Sequence, residues 1–398
     1  MSQSPTVLKL LPNRKRSIWV DNEVATMTPI SLVRERDTDV AVGLPVSWYF
    51  DPDVLELERR ELFAAGPTYA GHGSMVREEG DYVALGAQQS GRLLVRHEGQ
   101  VHLLSNVCRH RQAQLVSGSG RVKNIVCPIH NWTYNLDGSQ IAAPHFSQNP
   151  CLDLPKTELT EWNGLLFSGP RDVRWELAPL AGWSELAGRD VVLERVDEEL
   201  HDLNWKAFLE VYLEDYHVGV IHPGFRAFVD PADLKGSLQT AVGERFCCER
   251  VSVRWPLPTA GSPLFAEYQR ILLDVCGGRR PEFAAVWFCL FPGQLIEWYP
   301  YSLVVTTYQP LSPTRTRLRS EYFFDRAVAE TRRDYVEAGL AVLDEVTAED
   351  HEAAERFQQG RQALFDRGDN FQGPYQGPME QGLRRFHDCL RGVVAAAH

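Results

Sequence analysis

Two cysteine–histidine pairs constrain this chain more than any other feature. Cys108-Arg109-His110 is followed after sixteen residues by Cys127-Pro128-Ile129-His130, the pattern C-x-H-x16-C-x2-H. Each pair directly follows a strand-like run, QVHLLSNV before the first and VKNIV before the second. Two loops can therefore present four ligands to one centre. The surrounding runs, YVALGA, GRLLVRHEG and TYNLDGSQIAAP, are short and bounded by glycines or Asp-Gly pairs, and Asp137-Gly138 is a good hairpin turn. The stretch from about Thr68 to Phe167 is predicted to be a small all-β domain.

Two thiolates and two imidazoles admit two chemistries. One is a tetrahedral structural zinc. The other is a Rieske [2Fe–2S] centre, in which the thiolates hold one iron and the imidazoles the other. Zinc sites usually place both cysteines on one knuckle. Here each loop brings one of each residue, which suits two unlike irons.

The rest of the chain is ordinary in composition. Of 398 residues, 44% are apolar and 24% charged, which excludes a disordered or fibrous chain. No apolar run approaches the length of about 18 residues that a membrane-spanning helix needs. The net charge of −12 argues against nucleic acid as a main partner. At the N-terminus the basic cluster Arg14, Lys15, Arg16 follows the apolar run Val7 to Leu11, the reverse of a secretory leader. Residues 1–47 are read as a cytosolic arm, and the chain as cytoplasmic. Eight cysteines at irregular spacing make no disulfide scaffold.

A short helix is expected over 51–64, capped by Asp51 or Asp53. The segment between about 165 and 195 reads as a connector. Beyond it HDLNWKAFLEVYLEDYHVGVIHPG starts helical. Ala285–Leu311 and RTRLRSEYFFD read as strands, and Val336, Leu340 and Leu343 open an acidic helix running to about Phe365. The fold class is α+β, with domains at 48–165 and 166–398.

A second constellation lies in this part: Glu214-x2-His217-x4-His222-Pro223. On a continuous helix Glu210, Glu214 and His217 share one face. A residue before proline avoids the α region, so His222 is expected past the helix end, where the chain can curl back. Two histidines plus a carboxylate, with open positions left, make the facial triad of non-haem Fe(II) oxygenases. Taken alone, an H-x4-H pair also fits capped surface histidines. The third ligand would come from downstream, among Asp344, Glu345, Glu349, Asp350, Glu352 and Glu355.

NVCRHRQAQLVSGSG…VCPIHNWTYNLDG resembles the Rieske domain of ring-hydroxylating, non-haem iron oxygenases, whose members commonly read CRHRGA and CPYHGWTY. Gln112 and Asn131 stand where those members have glycine; Asn131 can alter the backbone beside His130, since glycine takes φ > 0 more freely, although Asn is the next most tolerant residue. NWKAFLEVYLEDYH is similar to the family's NWK-x3-EN-aromatic-x-E-x-YH, with Val211 in place of Asn. AEDHEAAERFQQG resembles its ED-x4-E-x-aromatic/Val-Q-x-G. The resemblance runs from about Trp48 to Leu390. It implies that Cys108, His110, Cys127 and His130 hold the [2Fe–2S] cluster. His217, His222 and Asp350 would hold a mononuclear Fe(II), with Glu214 bridging electron transfer between the two centres. Val346, Ala353, Ala354 and Phe357 would face the core around Asp350. The implied fold is a Rieske all-β domain followed by a helix-grip (START-like) antiparallel sheet, in a ring-shaped homotrimer where each Rieske centre serves its neighbour's iron.

A Rieske centre stores one electron, and a facial-triad iron needs electrons one at a time. The chain has no G-x-G-x-x-G between strand and helix. A separate NAD(P)H-dependent reductase, with flavin or ferredoxin, is therefore expected. The expected reaction is O2-dependent hydroxylation or demethylation of an aromatic or other small organic substrate. Trp287, Phe288, Phe291, Trp298, Tyr299, Tyr301 and Tyr308 are candidates for an apolar pocket, with Phe225 and Phe228 after the second histidine. About half of the strand residues must point away from it. Aromatic rings also form cages for quaternary ammonium groups, and the motifs look closest to the choline, betaine and carnitine monooxygenases. An electron-transfer protein with the Rieske site alone, and a zinc-stabilised binding module, are the readings from other classes.

Overall fold

The computed structural model describes residues 42–396 apart from 87, 88, 90, 234–238 and 259. Most of the expected N-terminal arm lies outside them. No helix among the described residues is long and apolar enough to cross a membrane.

The β region contains three antiparallel sheets. The largest runs Ser119–Arg121, Asp81–Ala84, Arg92–His97, Gln100–Ser105, Lys156–Thr157. Its central hairpin pairs Leu93 with Leu104 and Val95 with His102. Strand alternation sends Leu93, Val95 and Leu104 into one core with Cys108 and Cys127, and Leu94 and Leu103 into another with Leu166. A small sheet of Ile125–Val126, Thr133–Tyr134 and Gln140–Ala142 carries the second Cys/His loop. Its hairpin turns through Gly138 at φ 95°, with Asp137 accepting from the Ser139 amide at 2.9 Å. The third sheet pairs Thr68–His72 and Thr160–Trp162 with Leu165–Ser168.

Beyond it, seven antiparallel strands run in the order Val191–His201, Arg315–Asp325, Ser302–Ser312, Gln294–Tyr299, Ala285–Leu290, Phe246–Val251, Gln239–Val242. One face packs Val304, Tyr322 and Phe324 against Tyr335, Val336 and Val342 of the long helix Arg333–Asp366. The other face packs Phe288, Ile296 and Trp298 against Tyr69, Leu165 and Phe167 of the β region. This is the helix-grip arrangement. The connector is itself packed, since Val173, Leu177, Leu180 and Leu186 are buried in that same core.

The helix expected over 51–64 spans Pro52–Glu58, capped by Asp51, and continues as a wider helical turn over Arg59–Phe63. It packs with the seven-stranded half: Leu55 and Leu62 share a core with Trp205, Phe208 and Phe386. Asn204 caps the helix Trp205–Tyr212, Lys206 makes a buried 2.6 Å ion pair with Glu58, and the Trp205 indole donates to the other Glu58 oxygen at 2.8 Å. Removing one member of such a pair strands a buried charge, a loss of about 3–5 kcal/mol.

Two expectations are corrected. The helix does not continue from Trp205 to His217 but stops at Tyr212. The C-terminal segment takes its hydrogen bonds: Leu383 donates to the Leu213 carbonyl at 2.9 Å and the Asp215 amide to Met379 at 3.1 Å. Phe357 faces outward, 41% exposed, with the Arg361 guanidinium over its ring, whereas Ala354 is buried as expected.

Candidate metal centres and the cavity beside them

The two Cys/His loops have the same backbone. Cys108 N donates to Ala113 O and Cys127 N to Trp132 O, both at 2.8 Å. Gln112 N returns to Cys108 O and Asn131 N to Cys127 O, both at 3.1 Å. Gln112 and Asn131 take φ 55° and 56°. Both residues take the left-handed conformation that glycine adopts freely, as the tolerance of Asn for φ > 0 allows. The local bonds impose it at a cost of about 1 kcal/mol.

Burial separates the donors. Cys108 and Cys127 are buried, while His110 and His130 lie toward the surface with ring centroids 4.7 Å apart. His110 stacks on Trp132 at 5.0 Å, and its Nδ1 is buried with no hydrogen-bond partner. That orphaned nitrogen fits a metal ligand. Tetrahedral zinc would bring all four donor atoms within about 3.6 Å of one another. No three of these four come within 4.8 Å of one another. The spread suits a two-iron cluster. Tyr134, buried beneath, contacts the Cys108 sulfur at 3.5 Å and accepts from the Arg109 amide at 3.0 Å.

The second centre brings together His217, His222 and Asp350, with donor atoms all within 4.8 Å of one another. The two Nε2 atoms stand 3.1 Å apart, and Asp350 Oδ1 lies 2.9 Å from His222 Nε2 and 3.6 Å from His217 Nε2. Bonds of about 2.1 Å meeting at right angles would separate neighbouring donors by about 3.0 Å. Each ring turns its other nitrogen to a carboxylate: His217 Nδ1 to Glu214 at 2.5 Å, His222 Nδ1 to Glu349 at 2.7 Å. Such partners fix the tautomer and aim Nε2 inward. Burial opposes charge on His222, but Asp350 and Glu349 outweigh it and raise its basicity.

His222 sits between the helices Val218–Ile221 and Pro223–Phe228 at φ −110°, ψ 71°, as its proline neighbour requires. Glu214 reaches His217 across a turn, also accepting from the His217 amide at 3.0 Å. The neighbouring acids are otherwise engaged. Glu210 is buried with Arg361, His387 and Tyr49. Burial, then Glu249, Glu214 and Asp233, push the Asp215 carboxyl up to about 9. Among the downstream candidates, Asp344 pairs with Arg195 and Glu352 with Arg356, while Glu349 supports His222 from behind.

A cavity opens beside the three donors. Phe225, Phe228, Phe265, Tyr268, Trp287 and Tyr299 form its wall. Strand alternation turns Phe288 and Trp298 into the opposite core, and Phe291 packs under Phe386. Tyr308 lines a second chamber reached past Glu297. Glu297 and Tyr212 line both chambers, and the motif-based reading missed them. The signal for Glu297 was a lone carboxylate alternating with aromatics in QLIEWYP.

Fold and donor chemistry define an iron–sulfur oxygenase. The Rieske [2Fe–2S] domain matches residues 67–158, and the ring-hydroxylating alpha subunit (catalytic domain) matches residues 189–396. The chain belongs to the ring-hydroxylating alpha-subunit family: it is a Rieske oxygenase component, an oxidoreductase with a [2Fe–2S] cluster and a mononuclear iron. It is 44% identical to putrescine 2-hydroxylase of Ralstonia nicotianae over 88% of this chain and 95% of that one. It is 41% identical to putrescine 2-hydroxylase of Bordetella bronchiseptica over 88% and 84%. Its fold matches a solved quaternary ammonium Rieske monooxygenase, studied for carnitine oxidation and inter-subunit electron transfer, at TM-score 0.68 and 21% identity, covering 91% and 97%.

Proposed function

We propose that this chain hydroxylates a small aliphatic amine, using O2 and electrons from a separate NAD(P)H-dependent reductase. The carrying observation is the cavity beside His217, His222 and Asp350: an aromatic wall into which Glu297 is set, a carboxylate that neither holds nor supports the three donors. A neutral aromatic substrate would leave that carboxylate buried without a counter-charge, which is costly. The likeness to two putrescine hydroxylases supports the same reading.

In this reading Cys108, His110, Cys127 and His130 hold the cluster, and His217, His222 and Asp350 hold the iron. When bound, the two groups supply stored electrons and an O2-activating centre. Glu214 and Glu349 hold the Nδ1 protons of the two histidines and keep the Nε2 lone pairs inward. The aromatic wall excludes water and presents the substrate's alkyl chain to the three donors. Functionally, residues 48–165 take in electrons and 166–398 carry the oxidation, with Leu44 to Leu62 packed beneath the latter. We assign a homotrimer in which Glu214 of one subunit, hydrogen-bonded to His217, bridges the electron path from the neighbour's Rieske histidines to the mononuclear site.

The experiment combines purified oxygenase, a surrogate reductase, NADH and putrescine under 18O2. Product gaining one labelled oxygen is expected. NADH oxidation that yields only peroxide, for every primary amine tried, would reject the amine reading. For the trimer, mixing inactive Cys127→Ala and His217→Ala chains and reassembling them should restore activity, because one site in a mixed ring regains both centres. No recovery would reject the crossing path.

A further inference from the structure

Among the described residues, Glu297 is the one carboxylate on the cavity wall that the three donors and their supports do not use. It lies on the strand Gln294–Tyr299, with Ile296 and Trp298 facing the opposite core. Its hydrogen bond comes from Tyr299, whose hydroxyl donates to Glu297 Oε1 at 3.1 Å. No lysine, arginine or histidine among the described residues pairs with it. Burial pushes its carboxyl up to about 7, against the Tyr299 hydrogen bond and with a further push from Asp350. The Tyr212 hydroxyl lines the same space and is buried with no hydrogen-bond partner. Three oxygens therefore share one space: the free side of Glu297, and the hydroxyls of Tyr212 and Tyr299.

The chemistry of these oxygens selects a ligand. A protonated primary amine brings one charge and three N–H donors. It can give one to Glu297 and one to the Tyr212 oxygen, while Tyr299, accepting from Trp287 and donating to Glu297, holds the carboxylate in place. The faces of Phe225 and Trp287 add cation–π attraction. A quaternary ammonium has the charge but no N–H, and would leave Tyr212 and the free carboxylate oxygen unpaired, which is penalised when buried.

We propose that Glu297, with Tyr212 and Tyr299, binds a primary ammonium end of the substrate and so selects primary amines over quaternary ones. Held there, the alkyl chain runs along the aromatic wall, and the anchored end decides which carbon faces the three donors. The proposal rests on the amine reading and adds the residues that carry it.

Putrescine and choline are titrated calorimetrically into the anaerobic, iron-loaded oxygenase, and KM and kcat are measured with the reductase. Glu297→Gln should weaken putrescine binding about 30-fold or more, mainly through KM, with the Rieske spectrum and iron content unchanged. Glu297→Asp should recover part of that loss, which a purely structural role would not produce. Tyr212→Phe should weaken binding about 5-fold. Choline should bind wild type far more weakly than putrescine. Unchanged putrescine affinity in Glu297→Gln, with the wild type active on putrescine, overturns the anchor alone. Equal affinity for choline also overturns it. A wild type that neither binds nor oxidises any primary amine overturns the anchor and the amine reading together. Should Glu297→Gln lose iron, Tyr212→Phe and the choline comparison decide.

Discussion

The donors proposed for the cluster lie on two neighbouring loops between Cys108 and His130, whereas those proposed for the iron join His222 to Asp350, 128 positions away. In the β domain, the local backbone makes the site. Both loops repeat the same pair of hydrogen bonds and the same left-handed residue, and a small hairpin sheet sets their separation. In the catalytic domain no local unit contains the site. The two imidazoles flank the short helix Val218–Ile221, the long helix supplies Asp350 and Glu349, and the C-terminal segment hydrogen-bonds the chain at Leu213 and Asp215. The first site should therefore fail locally when damaged, and the second should depend on distant supports.

The sharpest break uses one substitution in each set. Cys127→Ala should bleach the visible Rieske spectrum and leave the mononuclear iron bound. Asp350→Ala should leave that spectrum intact, lower iron by about one atom per chain and abolish turnover. Iron analysis and EPR check both. A fully active Asp350→Ala variant would move the third ligand to another acid.

A smaller effect tests the supports. Glu349→Gln keeps all three proposed iron donors but loses the acceptor behind His222, so iron affinity should fall about 10- to 100-fold. Metal titration of the apoprotein measures it, and the Rieske spectrum serves as the internal control. An unchanged affinity would mean that the long helix contributes only Asp350.

The link between the two regions is tested by Glu214→Gln. Both metals and the oligomer should persist, while reoxidation of the pre-reduced Rieske centre slows severely when substrate and O2 are present. Single-turnover absorbance reads this directly. Normal reoxidation with normal iron content would send the electrons by another route.

The smallest effect sharpens the local end of the comparison. Gln112→Gly should stabilise the β domain by about 1 kcal/mol, because glycine takes the loop's positive φ without strain. Chemical denaturation followed at the Rieske absorbance checks the sign. A loss of stability would mean that the Gln112 side chain contributes more than its backbone costs.

The spacing of Cys108, His110, Cys127 and His130 announces a two-loop site before any coordinates exist, because strand, loop and hairpin are short-range structures. His222 was legible for the same reason: Pro223 forbids it a helical conformation. The strand-rich run after Ala285 and the acidic helix to Phe365 followed from residue patterning. Other features depended on partners far along the chain. Where the helix stops after Tyr212, the backbone turns its hydrogen bonds to Met379 and Leu383, partners far along the chain. Asp350 and Glu349 are adjacent acids of like chemistry. Only the docking of the long helix gives one to each side of the His222 ring. Glu297 reads in sequence as a charge in an aromatic strand, and only the packing of sheet and helices turns it into a cavity wall with no cationic partner among the described residues. Local bonding rules act over a few residues and are written in order along the chain. Burial and long-range pairing are properties of the packed whole, and they decide which of several equivalent carboxylates does which task.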